Sequence, residues 1–373
     1  DWEIYKFLSQ NAAKILLPYR MTMYIMALYA VFGMGNSLAK SFKLDGLSGA
    51  IISVMAFLLT INPVNVLKDA NAGVTGFVIP MANLGSAGLF VGIISTFIAV
   101  NIYRFTQRSN FKITMPEQVP ESVSRSFEAL TPTLLVILLF GSITYYFGFN
   151  WNAAITSLIK PLVFATDSLP AVMLISLLYG FFWFFGIHGA SIVGSIARPL
   201  WLTLLEANTT AVAAGVAGTQ LPSISAEPFY QWFIFIGGAG TTIGLAILLV
   251  TVCKSKYAKD LGRIAFFPAL FNINEPIIFG APIVLNVTLA IPFVLTPVVC
   301  GVISWFATVL GLVNRVSVNA PWTLPGPIGA YLATGGDFRA IILSIVLILV
   351  SILIYYPFVK VWDKQYLSQE QNA

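Results

Sequence analysis

The chain has 373 residues, 58% hydrophobic and only 9% charged, with a formal net charge of +5. Soluble domains carry about a quarter charged residues, so the composition excludes an ordinary soluble enzyme and reads as a polytopic membrane protein. The positive charge does not point to nucleic acid, because lysines and arginines cluster in short loops between apolar runs, the pattern of loops retained in the cytoplasm.

A helix crosses the hydrocarbon core with about 20 apolar residues. Residues 21–39 form the first such run, closed by Lys40 and Lys43, and residues 49–66 the second. Residues 68–88 are polar and glycine-rich, and 89–103 give a third span that ends at Arg104. Within the aqueous stretch 104–128, Val119, Val123, Phe127 and Leu130 recur at helical spacing. That spacing predicts a short amphipathic helix on the membrane surface over 116–130. Residues 133–149 predict a fourth span, 153–165 a shorter interfacial piece and 171–185 a fifth span.

The fifth span leads into GIHGASIVGSIARPLW, which holds the only histidine, His188. Residues 206–228 contain no lysine or arginine and read as an exterior loop. Residues 230–252 predict a further span, in which Gly237, Gly238, Gly240 and Gly244 read as helix-packing positions. Spans over 283–312 and 340–358 complete the set. Loops 40–46, 104–128 and 254–263 and the C-terminal tail are assigned to the cytoplasm by their basic residues. Nine crossings place residue 1 outside, an odd count that suggests a leading helix before it.

Asp167, Glu206, Glu227, Asp337, Arg315 and Arg339 border spans and read as solvated ends. Arg198 lies in an apolar run, where it either pairs with a carboxylate or reaches to the surface. Cys253 and Cys300 fit no metal spacing and read as structural. No metal or cofactor motif is present. Asn208-Thr209-Thr210 matches a glycosylation sequon, a weak signal by its shortness.

The chemistry concentrates in residues 265–286, AFFPALFNINEPIIFGAPIVLN. Pro268, Pro276 and Pro282 cannot all sit in one straight helix, and the residue before Pro276, Glu275, is pushed out of helical geometry. A carboxylate therefore stands at a backbone break at membrane depth, between Asn272 and Asn274 on one side and an apolar run on the other. Such a break is tolerated only where protein buries it or it lines a wet cavity, and an ionisable group there either marks a functional site or is a satisfied core glutamate in a proline-kinked helix. A second proline-rich break spans Asn319-Ala-Pro-Trp-Thr-Leu-Pro-Gly-Pro. Interrupted hydrophobic segments of this kind point to a transporter binding site. His188 either shares that site or packs as a hydrogen-bonded core residue. Trp183 and Trp322 are either platforms for a sugar ring or interfacial anchors. Asn272 and Asn274 either bond hydroxyls of a ligand or cap the broken helix ends.

Three stretches, WFFGIHGA at 183–190, FNINEPIIFGAPIVLN at 271–286 and APWTLPGPIGAYLATGG at 320–336, together resemble the IIC component of bacterial phosphotransferase-system sugar permeases, in the lactose, cellobiose and diacetylchitobiose branch. SFKLDGLSGAIIS and MPEQVPESVSRSFEALTP fit as well, so the likeness runs nearly the length of the chain. It implies an all-α polytopic membrane protein of about nine to ten transmembrane helices, with re-entrant hairpins and interfacial amphipathic helices, in the bacterial inner membrane. It implies a dimer-interface domain over residues 1–150, a sugar-binding transport domain over 151–373, and a homodimer.

The resemblance further implies that Glu275 binds the 6-hydroxyl of a disaccharide, that His188 lies beside the same sugar, and that Trp183 and Trp322 belong to its pocket. Asn83 is a weak match to an asparagine of that pocket. Phosphate would come from a phosphocysteine on a IIB partner charged by IIA, and neither Cys253 nor Cys300 matches that cysteine. Glu275 and His188 would be the catalytic pair, with Asn272 and Asn274 in the binding site. The alternative is a proton-coupled secondary sugar carrier with Glu275 and His188 as its relay.

Overall fold

A computed structural model of the chain describes residues 17–65, 76–116 and 118–372, together with Phe7, Asn11, Lys14 and Ile15. The fold is all-α; the described strands are the two-residue pair Val64–Asn65 and Phe77–Val78, antiparallel, with Val64 opposite Val78. This small hairpin brackets part of the polar stretch expected over 68–88, of which residues 68–75 lie outside the described residues. Among the described residues four helices are long and apolar enough to cross a membrane: Gly88–Arg108, Val123–Tyr146, Val287–Val309 and Phe338–Gln371. Two bent pairs qualify together, Trp151–Thr166 with Leu169–Phe184 at 78°, and Glu227–Thr241 with Ile243–Thr251 at 55°. Other expected spans are built from shorter helices, such as Gly46–Leu59.

The chain divides into two compact units, Asp1–Lys160 and Pro161–Ala373. In the first, Met26–Ser41, Gly46–Leu59, Ser86–Arg108 and Leu130–Gly141 pack on one another. Val31, Phe57, Val91 and Phe140 are fully buried there. Asp45 starts the Gly46–Leu59 helix: its carboxylate accepts the Ser48 N–H at 2.7 Å, satisfying a donor the first turn leaves orphaned. Arg125 adds a charged contact to the same carboxylate at 3.2 Å. The amphipathic segment expected over 116–130 is the helix Glu121–Glu128, which continues into Leu130–Gly141.

In the second unit, Leu169–Phe184 packs on Val287–Val309, and the long helix Phe338–Asn372 packs on both Val287–Val309 and Ile243–Thr251. Several expectations are corrected here. Residues 206–213, read as part of an exterior loop for want of basic residues, continue the helix Gly189–Ala213. Their composition is helix-compatible, and charge bias reports sidedness rather than secondary structure. Asn208 in the sequon is fully buried, its amide bonded to Ser223 and to the Val316 carbonyl.

Most of the span-end charges are clamps rather than freely solvated groups. Asp167 accepts the N–H groups of Ile224 and Ser225 at 3.0 and 2.7 Å. Arg198 pairs with Glu227 at 3.1 Å, which resolves its two readings in favour of a carboxylate partner. Asp337 accepts the Asn314 N–H and pairs with Arg339, and the Arg315 guanidinium donates to the Leu221 carbonyl. Glu206 lies exposed on the helix Gly189–Ala213.

Candidate functional site

The glycines at 237–240 do more than allow helices to pack: they break the expected span 230–252. Gly237, Gly238 and Gly240 all have left-handed backbone, at φ of 80°, 97° and 79°, which side chains bearing a Cβ rarely adopt. A broken chain at membrane depth must satisfy its own backbone groups. Many of those groups have partners within the second unit. The carbonyls of Ile234 and Gly237 accept the hydroxyls of Thr241 and Thr242. Those of Gly240 and Thr241 accept Tyr355 and Ser351 from the last helix, at 2.8 and 2.6 Å.

Two further groups of the break are met by the NINEP segment. Asn272, in left-handed backbone at φ 63°, accepts the Gly237 N–H at 2.9 Å. Its NH2 donates to the carbonyls of Trp322 and Leu324, at 2.7 and 3.0 Å. Asn274 donates to the Ala239 carbonyl at 2.6 Å and to the Thr242 hydroxyl at 2.9 Å. One side chain thus ties together three breaks, at 235–242, 271–274 and 319–325. Both asparagines are buried, and their NH2 groups are spent on the protein. Of their two sequence readings, the scaffold one has these bonds behind it.

Glu275 follows directly and begins the six-residue half-helix Glu275–Gly280, with Pro276 in the first turn, where a missing N–H costs nothing. Its residue is exposed, and among the described residues its carboxylate makes no hydrogen bond or ion pair. Phe279 lies one turn on, on the same face of the half-helix. The Phe279 ring meets Trp183 edge-on at 6.1 Å, and Trp183 meets the His188 ring at 4.7 Å. A main-chain bond from the Leu285 N–H to the Phe184 carbonyl at 3.0 Å fastens the end of the broken segment to the same aromatic run.

His188 is the N-cap of Gly189–Ala213: its Nδ1 accepts the Ser191 N–H at 3.1 Å. The rest of the ring is exposed. Trp183 is only 4% exposed, and its indole N–H has no partner among the described residues. A buried orphan donor is costly, so its use is to be sought in what the protein binds. Trp322 meets Asn272 through its carbonyl, and the residue as a whole is 57% exposed. Asn83 lies on the turn Met81–Leu84 of the first unit. Among the described residues no group of three or more His, Cys, Asp or Glu is placed to hold a metal ion. Cys253 and Cys300 are buried and unpaired.

Helices broken by glycine and proline, with internal polar bonds at the breaks, are the architecture of a membrane transporter. The comparisons give the family. The model of the phosphotransferase system EIIC family matches residues 2–297. The cellobiose-specific EIIC component of Geobacillus stearothermophilus is 40% identical over all of this chain and 84% of that protein. The lichenan permease IIC component of Bacillus subtilis (strain 168) is 37% identical over 98% of this chain and 82% of that protein. The solved structure of ChbC, the IIC component of an N,N'-diacetylchitobiose-specific phosphotransferase system, superposes with a TM-score of 0.87 at 36% identity. That match covers 96% of this chain and 84% of ChbC. The chain belongs to the phosphotransferase system EIIC family. It is an integral membrane sugar permease of the cellobiose, lactose and chitobiose type.

Proposed function

We propose that the protein binds a disaccharide between the NINEP half-helix and the Trp183–His188 turn, carries it across the membrane, and presents its 6-hydroxyl for phosphorylation by a IIB component. The relatives support the substrate class, since their names specify cellobiose, lichenan and diacetylchitobiose. Lactose-specific relatives that carry EIICB in one chain support the IIB partner. Glu275 holds the attacking hydroxyl and draws off its proton. Trp183 donates its indole N–H to the sugar, His188 bonds a second hydroxyl, and Trp322 stacks on the ring. Asn272 and Asn274 act at one remove, by fixing where Glu275 stands. The unit Pro161–Ala373 carries the sugar, while the helices of Asp1–Lys160 serve a homodimer.

The observation that carries this reading is the open carboxylate of Glu275 directly after the bonded NIN turn. Phosphoryl transfer depends mostly on placing the nucleophile in line with the phosphate, and a carboxylate that holds a hydroxyl does that. The test is Glu275→Gln in membrane vesicles supplied with phosphoenolpyruvate and the IIA and IIB partners. Sugar binding is expected to fall modestly and phosphorylation about 100-fold, the range general-base loss spans. Phosphorylation at the wild-type rate would overturn the role of Glu275.

A further inference from the structure

The half-helix Glu275–Gly280 is too short to hold itself, since isolated helices below about 12 residues are marginal in water. Asn272 and Asn274 anchor its front end. Its rear end is anchored by a residue from a different helix. The hydroxyl of Tyr257, in the first turn of Lys256–Leu270, donates to the Gly280 carbonyl at 2.8 Å. One turn further along the same face, the end of the Leu261 side chain packs against Gly280 in the space a Cβ there would take.

Tyr257 is itself held from behind. Its ring stacks on Tyr366 at 4.8 Å and 7° between planes, with Trp362 against Tyr366 at 4.8 Å. The Glu370 carboxylate accepts the N–H groups of Lys256 and Tyr257, both at 3.0 Å. Asp363 accepts those of Lys254 and Ser255 at 2.8 and 2.9 Å. The start of Lys256–Leu270 is thus gripped by the far end of Phe338–Asn372. At about 1.5 Å per residue that 35-residue helix is about 52 Å long, well beyond the ~30 Å hydrocarbon core, so the grip lies outside the bilayer.

We propose that Tyr257 is a positioning residue for Glu275. Its hydroxyl links the grip of the last helix to the half-helix that carries the carboxylate, and so fixes the carboxylate along the half-helix axis. This rests on the role given to Glu275 above. The tether itself is read separately, by hydrogen exchange.

The variant is Tyr257→Phe, which keeps the stack on Tyr366 and removes only the donor. In purified full-length protein, amide exchange over residues 276–283 is expected to quicken about fivefold or more, with residues 243–251 unchanged. Phosphorylation of cellobiose by the partner proteins is expected to lose about tenfold in kcat with KM nearly constant, because a small misplacement of a reacting group is enough for that loss. In a Glu275→Gln background the same change should add no further loss. Unchanged exchange in Tyr257→Phe overturns the tether. Quickened exchange with normal kcat, or an equal tenfold loss in both backgrounds, overturns its action through Glu275. A Glu275→Gln protein that phosphorylates normally would instead strike at the reading of Glu275, while exchange still decides the tether.

Discussion

Asn272 donates to the main-chain carbonyl of Trp322 across 2.7 Å, joining residues 50 positions apart at the meeting point of two proline-rich breaks. With its other bonds, to Gly237 and Leu324, it is the knot of the second unit. Replacing it by leucine keeps the branched shape and leaves the buried Gly237 N–H and the carbonyls of Trp322 and Leu324 without this partner. A buried group left unpaired costs about 1 to 3 kcal/mol, so Asn272→Leu is expected to destabilise by about 3 kcal/mol or more. A thermal unfolding midpoint in detergent equal to that of the wild type would contradict this.

His188→Ala removes a ring that faces both the Trp183 indole and the proposed sugar. Leaving a sugar hydroxyl without its partner is expected to weaken binding by roughly 1 to 3 kcal/mol. Calorimetry with cellobiose on the purified protein measures it, and unchanged affinity would move His188 to a purely capping role.

Asp45 sits in the turn between two helices of the first unit. Burial raises its carboxyl, but the hydrogen bonds from Ser48 and the Arg125 guanidinium outweigh that and hold it below its ordinary value. A depressed carboxylate contributes stability that is present above the unfolded value, about 3.9, and is lost as pH falls through the folded value. Asp45→Ala is expected to cost about 1 kcal/mol at pH 7, the usual worth of an N-cap. The gap to the wild type should close below about pH 4. A constant gap in unfolding midpoint between pH 7 and pH 3.5 would show that the charge is not what holds the turn.

The basic loop 254–263 is proposed to face the cytoplasm and the segment 214–222 the exterior. Ser255 and Ser223 are natural positions for reporter cysteines by sequence, but both are buried, whereas Lys256 and Gln220 are exposed. Lys256→Cys should resist an impermeant maleimide on whole cells and Gln220→Cys should react. The native thiols should stay silent: both are buried, and burial pushes Cys253 up to about 12, far from the thiolate form at neutral pH. Labelling at 256 and not at 220 would invert the topology.

The breaks with proline were legible in the sequence because proline removes a donor wherever it stands, and Glu275 declared itself by its place before Pro276. The break at 237–240 was not, since glycine is equally at home in close helix packing, and only its left-handed backbone distinguishes the two. The side chains that close the site were hidden for a different reason. Asp363 and Glu370 bond residues more than 100 positions away, and no local pattern records such a partner. Arg198 and Glu227 were each visible as charges near span ends, and their pairing depends on the turn between them. The asparagines of the NINEP segment have both a capping and a binding chemistry, and which one operates depends on what the backbone around them lacks.

A backbone N–H can only give its proton, so Nδ1 of His188 must offer a lone pair to the Ser191 N–H. The ring proton is then confined to Nε2, and the imidazole faces outward as a fixed donor of one hydrogen. The cap therefore sets the direction in which the ring meets a ligand: Nδ1 is spent on the main chain of Gly189–Ala213, and the edge left facing outward is Nε2, which suits recognition of a hydroxyl oxygen.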